Sequence, residues 1–76
     1  SLESRELFLD VSNNKENYYG KDKRGNHWHA KIMEDGSQVW VRSRNGIMNN
    51  AGVNLPSDTA TWDPKTGFYR NLNPEE

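Results

Sequence analysis

Between Asn26 and Ile32 the chain alternates polar and apolar side chains, His27-Trp28-His29-Ala30-Lys31-Ile32, the period of two that gives a β-strand two different faces. The alternation stops before Asp35-Gly36, a two-residue hairpin signal, and β-favouring residues resume at Val39-Trp40-Val41-Arg42. A second signal, Asn45-Gly46, leads into Ile47-Met48. These runs predict a three-stranded antiparallel meander. Ahead of it, Leu7, Phe8 and Val11 form the apolar stripe of a short helix that Ser4 can cap, running through about Ser12 and ended by Asn13-Asn14. Lys21 to Asn26, with Asp22, Gly25 and Asn26 among basic residues, reads as an exposed loop. After the meander, Gly52 to Ser57 is loop-like, Thr59 to Trp62 can form a strand, and Asp63-Pro64-Lys65-Thr66-Gly67 is a turn returning through Phe68-Tyr69. Asn71 to Glu76 should fray. The expected fold is α+β, a short N-terminal helix packed on a twisted antiparallel sheet: the central three-stranded meander plus a C-terminal hairpin.

Hairpin register decides which side chains share a face. With Asp35-Gly36 as the whole loop, Ile32 opposes Val39, Ala30 opposes Val41 and Trp28 opposes Ser43 on an apolar face. On the other face Lys31 opposes Trp40, His29 opposes Arg42 and His27 opposes Arg44, and the Asn45-Gly46 turn adds Asn49 opposite Arg42. A slip of one residue would turn both histidines toward the helix and expose Ile32 and Val39.

Composition narrows the setting. A chain of 76 residues makes a single domain, 1–76, with a thin core that buries roughly 60% of the unfolded surface. Apolar residues are only 32%, yet three Trp, three Tyr and two Phe supply the packing units a disordered chain lacks. Without cysteine there is no disulfide, thiolate metal site or thiol nucleophile. No apolar run reaches the roughly 20 residues of a membrane span, and no signal peptide is evident. The start at Ser1-Leu2-Glu3, without Met, suggests a domain excised or processed from something longer. The net charge of −1 is unevenly spread: residues 15–46 carry Lys15, Lys21, Lys23, Arg24, Lys31, Arg42 and Arg44 against Glu16, Asp22, Glu34 and Asp35, while both flanks are acidic. A basic centre in a chain of pI about 6.1 suits a local phosphate site better than a general nucleic-acid coat.

Two imidazoles with Lys31, Arg42 and Arg44 have the chemistry for metal-independent RNA cleavage. A neutral histidine removes the 2′-hydroxyl proton, a protonated one donates to the leaving 5′-oxygen, and cations stabilise the charge on phosphorus. Histidine fits because its ordinary pKa, about 6.5, allows both states near neutrality. His29, flanked by Lys31 and Arg42, is the first choice for acid/base work and His27 the second. Lys31 and Arg42 are the phosphate stabilisers and Arg44 a substrate clamp, with Asn49 on the same face. Trp40, Tyr18 and Tyr19 are candidates for base stacking. No metal and no cofactor are needed. The pair also admits a structural role, or a zinc pair completed by Glu16 or Asp22, although the neighbouring cations would repel a metal ion. Trp28 reads as core.

The segments Gly25-Asn26-His27-Trp28-His29-Ala30, Asp35-Gly36-Ser37-Gln38-Val39-Trp40-Val41, Arg44-Asn45-Gly46-Ile47, Asn50-Ala51-Gly52-Val53-Asn54 and Trp62-Asp63-Pro64-Lys65-Thr66-Gly67-Phe68 together resemble the C-terminal toxin domains of bacterial contact-dependent growth inhibition proteins and related polymorphic toxins. The resemblance covers roughly residues 18–69. Many such domains are similar to compact colicin-type and barnase-like ribonucleases. It implies delivery from the cell surface within a larger toxin, action in the target cell's cytoplasm, tRNA or ribosomal RNA as target, and a cognate immunity protein over the active face. The Asp63–Gly67 turn also resembles one in rRNA-cleaving colicins, whose Asp/His/Glu grouping has no counterpart here. The expectation is a ribonuclease toxin domain cleaving tRNA by transesterification. The alternatives are an rRNA-cleaving colicin-like nuclease and a non-catalytic RNA- or protein-binding module.

Overall fold

The computed structural model describes residues 2–57, 62–63 and 68–69. Helix α1 spans Leu2–Asn13, so Ser4 lies inside the helix rather than capping it. The expected apolar stripe is its packing surface: Val11 is fully buried against Val39 and Val41, with Leu7 and Phe8 packed around them. The helix ends where two asparagines follow each other. Asn14 Nδ2 donates to the Asp10 carbonyl at 2.8 Å, and Asn17 Nδ2 donates to the Val11 carbonyl at 3.1 Å, satisfying carbonyls that the last helical turn leaves without partners. A turn of 3₁₀ helix, Lys15–Asn17, then hands the chain to the sheet.

The sheet has four antiparallel strands in sequential order: β1 (Tyr18–Lys21), β2 (His27–Ile32), β3 (Gln38–Arg44) and β4 (Ile47–Asn54). The meander is therefore one strand larger than the pattern predicts. Strand β1 is four residues broken by a bulge between Tyr18 and Gly20, too short and irregular to show alternation. Strand β4 runs on through Asn54 where loop was expected from Gly52. Its polar Asn49-Asn50 stretch hides a bulge, because Ser43 pairs with Met48 while Arg42 pairs with Asn50, leaving Asn49 as the extra residue. The expected C-terminal hairpin is present as β5 (Trp62–Asp63) and β6 (Phe68–Tyr69), Trp62 pairing with Tyr69. Residues 59–61 of the expected strand, the 64–67 turn and the tail 71–76 lie outside the described residues.

The β2–β3 register corrects the expected one by a single residue. His29 pairs with Val41, Trp28 with Arg42, Ala30 with Trp40 and Ile32 with Gln38. The cause is the turn. Met33 N–H donates to the Ser37 carbonyl at 2.8 Å and Gly36 N–H to the Met33 carbonyl at 2.9 Å, closing a three-residue loop, Glu34-Asp35-Gly36. Gly36 sits at φ +86°, the left-handed position that such a loop requires once. A two-residue loop of type I′ would demand positive φ at Asp35 as well. Instead the Asp35 carboxylate accepts from Ser37 N–H at 2.9 Å and from its hydroxyl at 2.6 Å, locking the longer loop. One added loop residue exchanges the two faces of β2 relative to β3. Ile32 is accordingly exposed, but Val39 stays buried because β3 keeps its own orientation against α1.

Candidate acid/base site

The register divides the expected cluster. The face toward α1 carries His27, His29 and Lys31 from β2 beside Val39, Val41 and Ser43 from β3. The opposite face carries Trp28, Ala30 and Ile32 beside Trp40, Arg42 and Arg44. Arg42 and Arg44, expected over the histidines, stand on the other side of the sheet from them. Asn49 does join Arg42, accepting from its Nε at 2.9 Å, and this pair too lies away from the imidazoles. Lys31 shares the histidine face but lines a separate depression near the Met33–Ser37 turn. Tyr19 sits in the β1 bulge.

His27 and His29 line one cavity of about 600 Å³ between the C-terminal end of α1 and the sheet. Ser12, Lys15, Tyr18 and Ser43 line it with them. Alternate residues of a strand stand about 6.6 Å apart, so the two imidazoles are neighbours on its wall. Tyr18, paired with His29 across β1, connects them. Its hydroxyl lies 2.9 Å from His27 Nδ1, and its ring meets His29 edge-on at 5.2 Å between centroids. A phenol hydroxyl can donate to a neutral imidazole or accept from an imidazolium, so this contact survives either protonation state.

His29 is placed differently. Its Nδ1 is buried and has no hydrogen-bond partner among the described residues. Burial lowers its pKa from the ordinary value, and positive charge on His27 lowers it further. Burial disfavours the charged ring, so the site favours neutral His29.

Asp22, named as a third metal ligand, is committed elsewhere. It accepts from Arg24 N–H and Asn26 N–H, both at 2.9 Å, from Asn26 Nδ2 at 3.1 Å and from Trp28 Nε1 at 2.9 Å. Desolvation pushes its carboxyl upward, but these bonds, led by that from Trp28, outweigh it and hold the group well below the usual carboxylate range. Among the described residues no three His, Asp or Glu gather as metal ligands.

No family model matches the chain, and no curated protein or solved structure matches it either. The site must therefore be read from its own chemistry. A neutral imidazole, a second imidazole with a hydroxyl partner, a lysine and two serine hydroxyls can bind an anion and move protons at both ends of a reacting group. Sequence reading missed Lys15 and Ser43 as cavity partners. Lys15 lies in the non-periodic stretch after α1, and only docking of the helix end on β2 brings it near His27. By sequence Tyr18 is a stacking candidate; its contact with His27 depends on β1, which the pattern does not show.

Proposed function

We propose that this domain is a metal-independent ribonuclease working by transesterification at the His27/His29 cavity. His29 acts as the base. With its ring proton on Nδ1, its Nε2 takes the 2′-hydroxyl proton as the 2′-oxygen attacks phosphorus. His27 acts as the acid, giving its proton to the 5′-oxygen as the P–O5′ bond breaks. The products are a 2′,3′-cyclic phosphate and a free 5′-hydroxyl. Lys15 takes the phosphate-stabilising role first assigned to Lys31 and Arg42. The observation that carries this reading is the pair of imidazoles on one cavity wall with different surroundings: burial favours the neutral form of His29, and a tyrosine hydroxyl serves His27 in either state.

The biological setting in this proposal rests on the motif resemblance alone: a toxin domain delivered from a cell surface, acting on tRNA in the target cytoplasm and held in check by an immunity protein. Incubating the purified domain with total tRNA and analysing the new RNA ends tests the chemistry. Cyclic phosphate and 5′-hydroxyl ends, formed equally with and without chelator, are the expected result. Intact RNA, or 5′-phosphate ends requiring a divalent cation, would reject it.

A further inference from the structure

The cations and indoles that the register moved off the histidine face form an array of their own. Trp28 and Trp40 lie 5.7 Å apart between ring centroids, tilted by 37°, and both are half-buried. Each is fixed. Trp28 Nε1 donates to Asp22 at 2.9 Å, and the Trp40 ring lies over Gly52, where an added Cβ would come within 2.7 Å of it. The Arg42 guanidinium stands 5.9 Å from the Trp28 ring centroid. It is held by Nε donating to Asn49, which in turn donates to Asn26 at 3.1 Å. Among the described residues that chain uses only Nε, so there the terminal Nη groups of Arg42 keep their hydrogen-bonding capacity for a ligand. Exposed Arg44 passes beside Gly25, within 3.6 Å of where a Cβ would lie, and the same loop carries exposed Lys23 and Arg24. The carboxylate of that loop, Asp22, is consumed by four hydrogen bonds.

We infer that this far face is a binding surface for single-stranded nucleic acid, continuing the path of a substrate that leaves the histidine cavity. The inference rests on the ribonuclease reading for the strand being RNA. Fixed indoles offer planes on which unpaired bases stack, and a guanidinium whose Nη groups are uncommitted among the described residues matches a phosphate in two-pronged geometry. Paired bases cannot use such a platform, so the preferred ligand is unpaired. The two sites meet at one end of the sheet: the cavity is lined by Ser43 and Gly46, and Arg44 lies between them on the opposite face. A strand passing over the Asn45-Gly46 turn goes from the imidazoles to Arg44, then Arg42 and the indoles.

Binding of a labelled short single-stranded DNA, which has no 2′-hydroxyl to cleave, tests the surface separately from catalysis. Fluorescence anisotropy at several salt concentrations should show binding by the parent. Arg42→Gln should weaken it roughly tenfold and lower the slope of log affinity against log salt by about 0.7, the value for one lost phosphate contact on a single strand. Trp40→Leu should weaken it by a similar factor at every salt concentration, since stacking is not screened. Arg42→Gln alters a partly exposed side chain and remains informative if Trp40→Leu does not fold. Equal affinity of parent and folded Arg42→Gln, or no binding by the parent, overturns the inference even where tRNA is cleaved. Arg42-dependent binding without RNA cleavage upholds the surface and rejects the ribonuclease reading.

Discussion

The two faces of the β2–β3 hairpin carry the same kinds of side chain, aromatic and basic, yet their surroundings give them different chemistry. On the α1 side the helix closes over the sheet beside a core of Val11, Val39 and Val41, and the imidazoles inherit that burial: a lowered pKa and an unpaired nitrogen at His29. On the far side the bases are guanidiniums, which stay charged in any surroundings, and that of Arg42 is held by an asparagine and an indole. Helix cover makes groups that exchange protons; a network of short polar contacts makes groups that hold charge still. In the proposed reaction, proton transfer belongs to the first face and anion or base recognition to the second.

The sharpest way to break this contrast is His29→Ala, which should lower RNA cleavage by about 100-fold or more, the usual size of an acid/base contribution, with far-ultraviolet circular dichroism preserved. Cleavage at the parental rate would remove His29 from the chemistry.

Next in size is Gly52→Ala. The new methyl must displace the Trp40 ring, so urea denaturation should show a loss of about 1–3 kcal/mol, the usual range for forced overpacking. A variant as stable as the parent would mean that Trp40 is not fixed in its observed position.

A smaller effect is expected at Lys15, which lines the histidine cavity. If a cognate inhibitor presents an acidic surface to that cavity, Lys15→Glu should weaken it roughly tenfold at low salt and less at high salt, as screened attraction does. Arg42→Glu, on the other face, should matter less to the inhibitor. The reverse ranking in calorimetric titrations would move the covered surface to the far side.

The smallest effect is in stability against pH. The folded pKa of His29 is depressed, so between that value and the unfolded one, about 6.5, the unfolded chain binds more protons. The contribution is complete above about pH 6.5 and is lost as pH falls through the folded value. His29→Gln should flatten the decline in melting temperature below about pH 6.5 relative to the parent. Parallel curves would mean that the imidazole is not shielded.

Much of the fold was legible because local pattern and turn chemistry agree over it. The helix stripe at Leu7, Phe8 and Val11, the alternation from His27, the Asn45-Gly46 turn and the pairing of Trp62 with Tyr69 follow from nearby residues alone. The site was less legible. Asp35-Gly36 fits a two-residue loop and the last two positions of a three-residue loop equally well, and the choice falls to Ser37, whose N–H and hydroxyl the Asp35 carboxylate takes. The register expected from the pattern hides Ile32, but the molecule leaves Ile32 42% exposed and turns His29 toward the helix. The pairing of Tyr18 with His27 joins residues nine apart through an irregular strand, and no periodicity announces it.

The Glu34-Asp35-Gly36 loop also makes the hairpin an object with parity. Changing its length by one residue re-pairs β2 with β3 and carries His27 and His29 to the guanidinium side, while changing it by two restores the faces and only slides the strands. Along this stretch the smallest deletion a gene can suffer in frame is a more drastic chemical change than most substitutions, because it alters no functional side chain and reassigns the company of all of them.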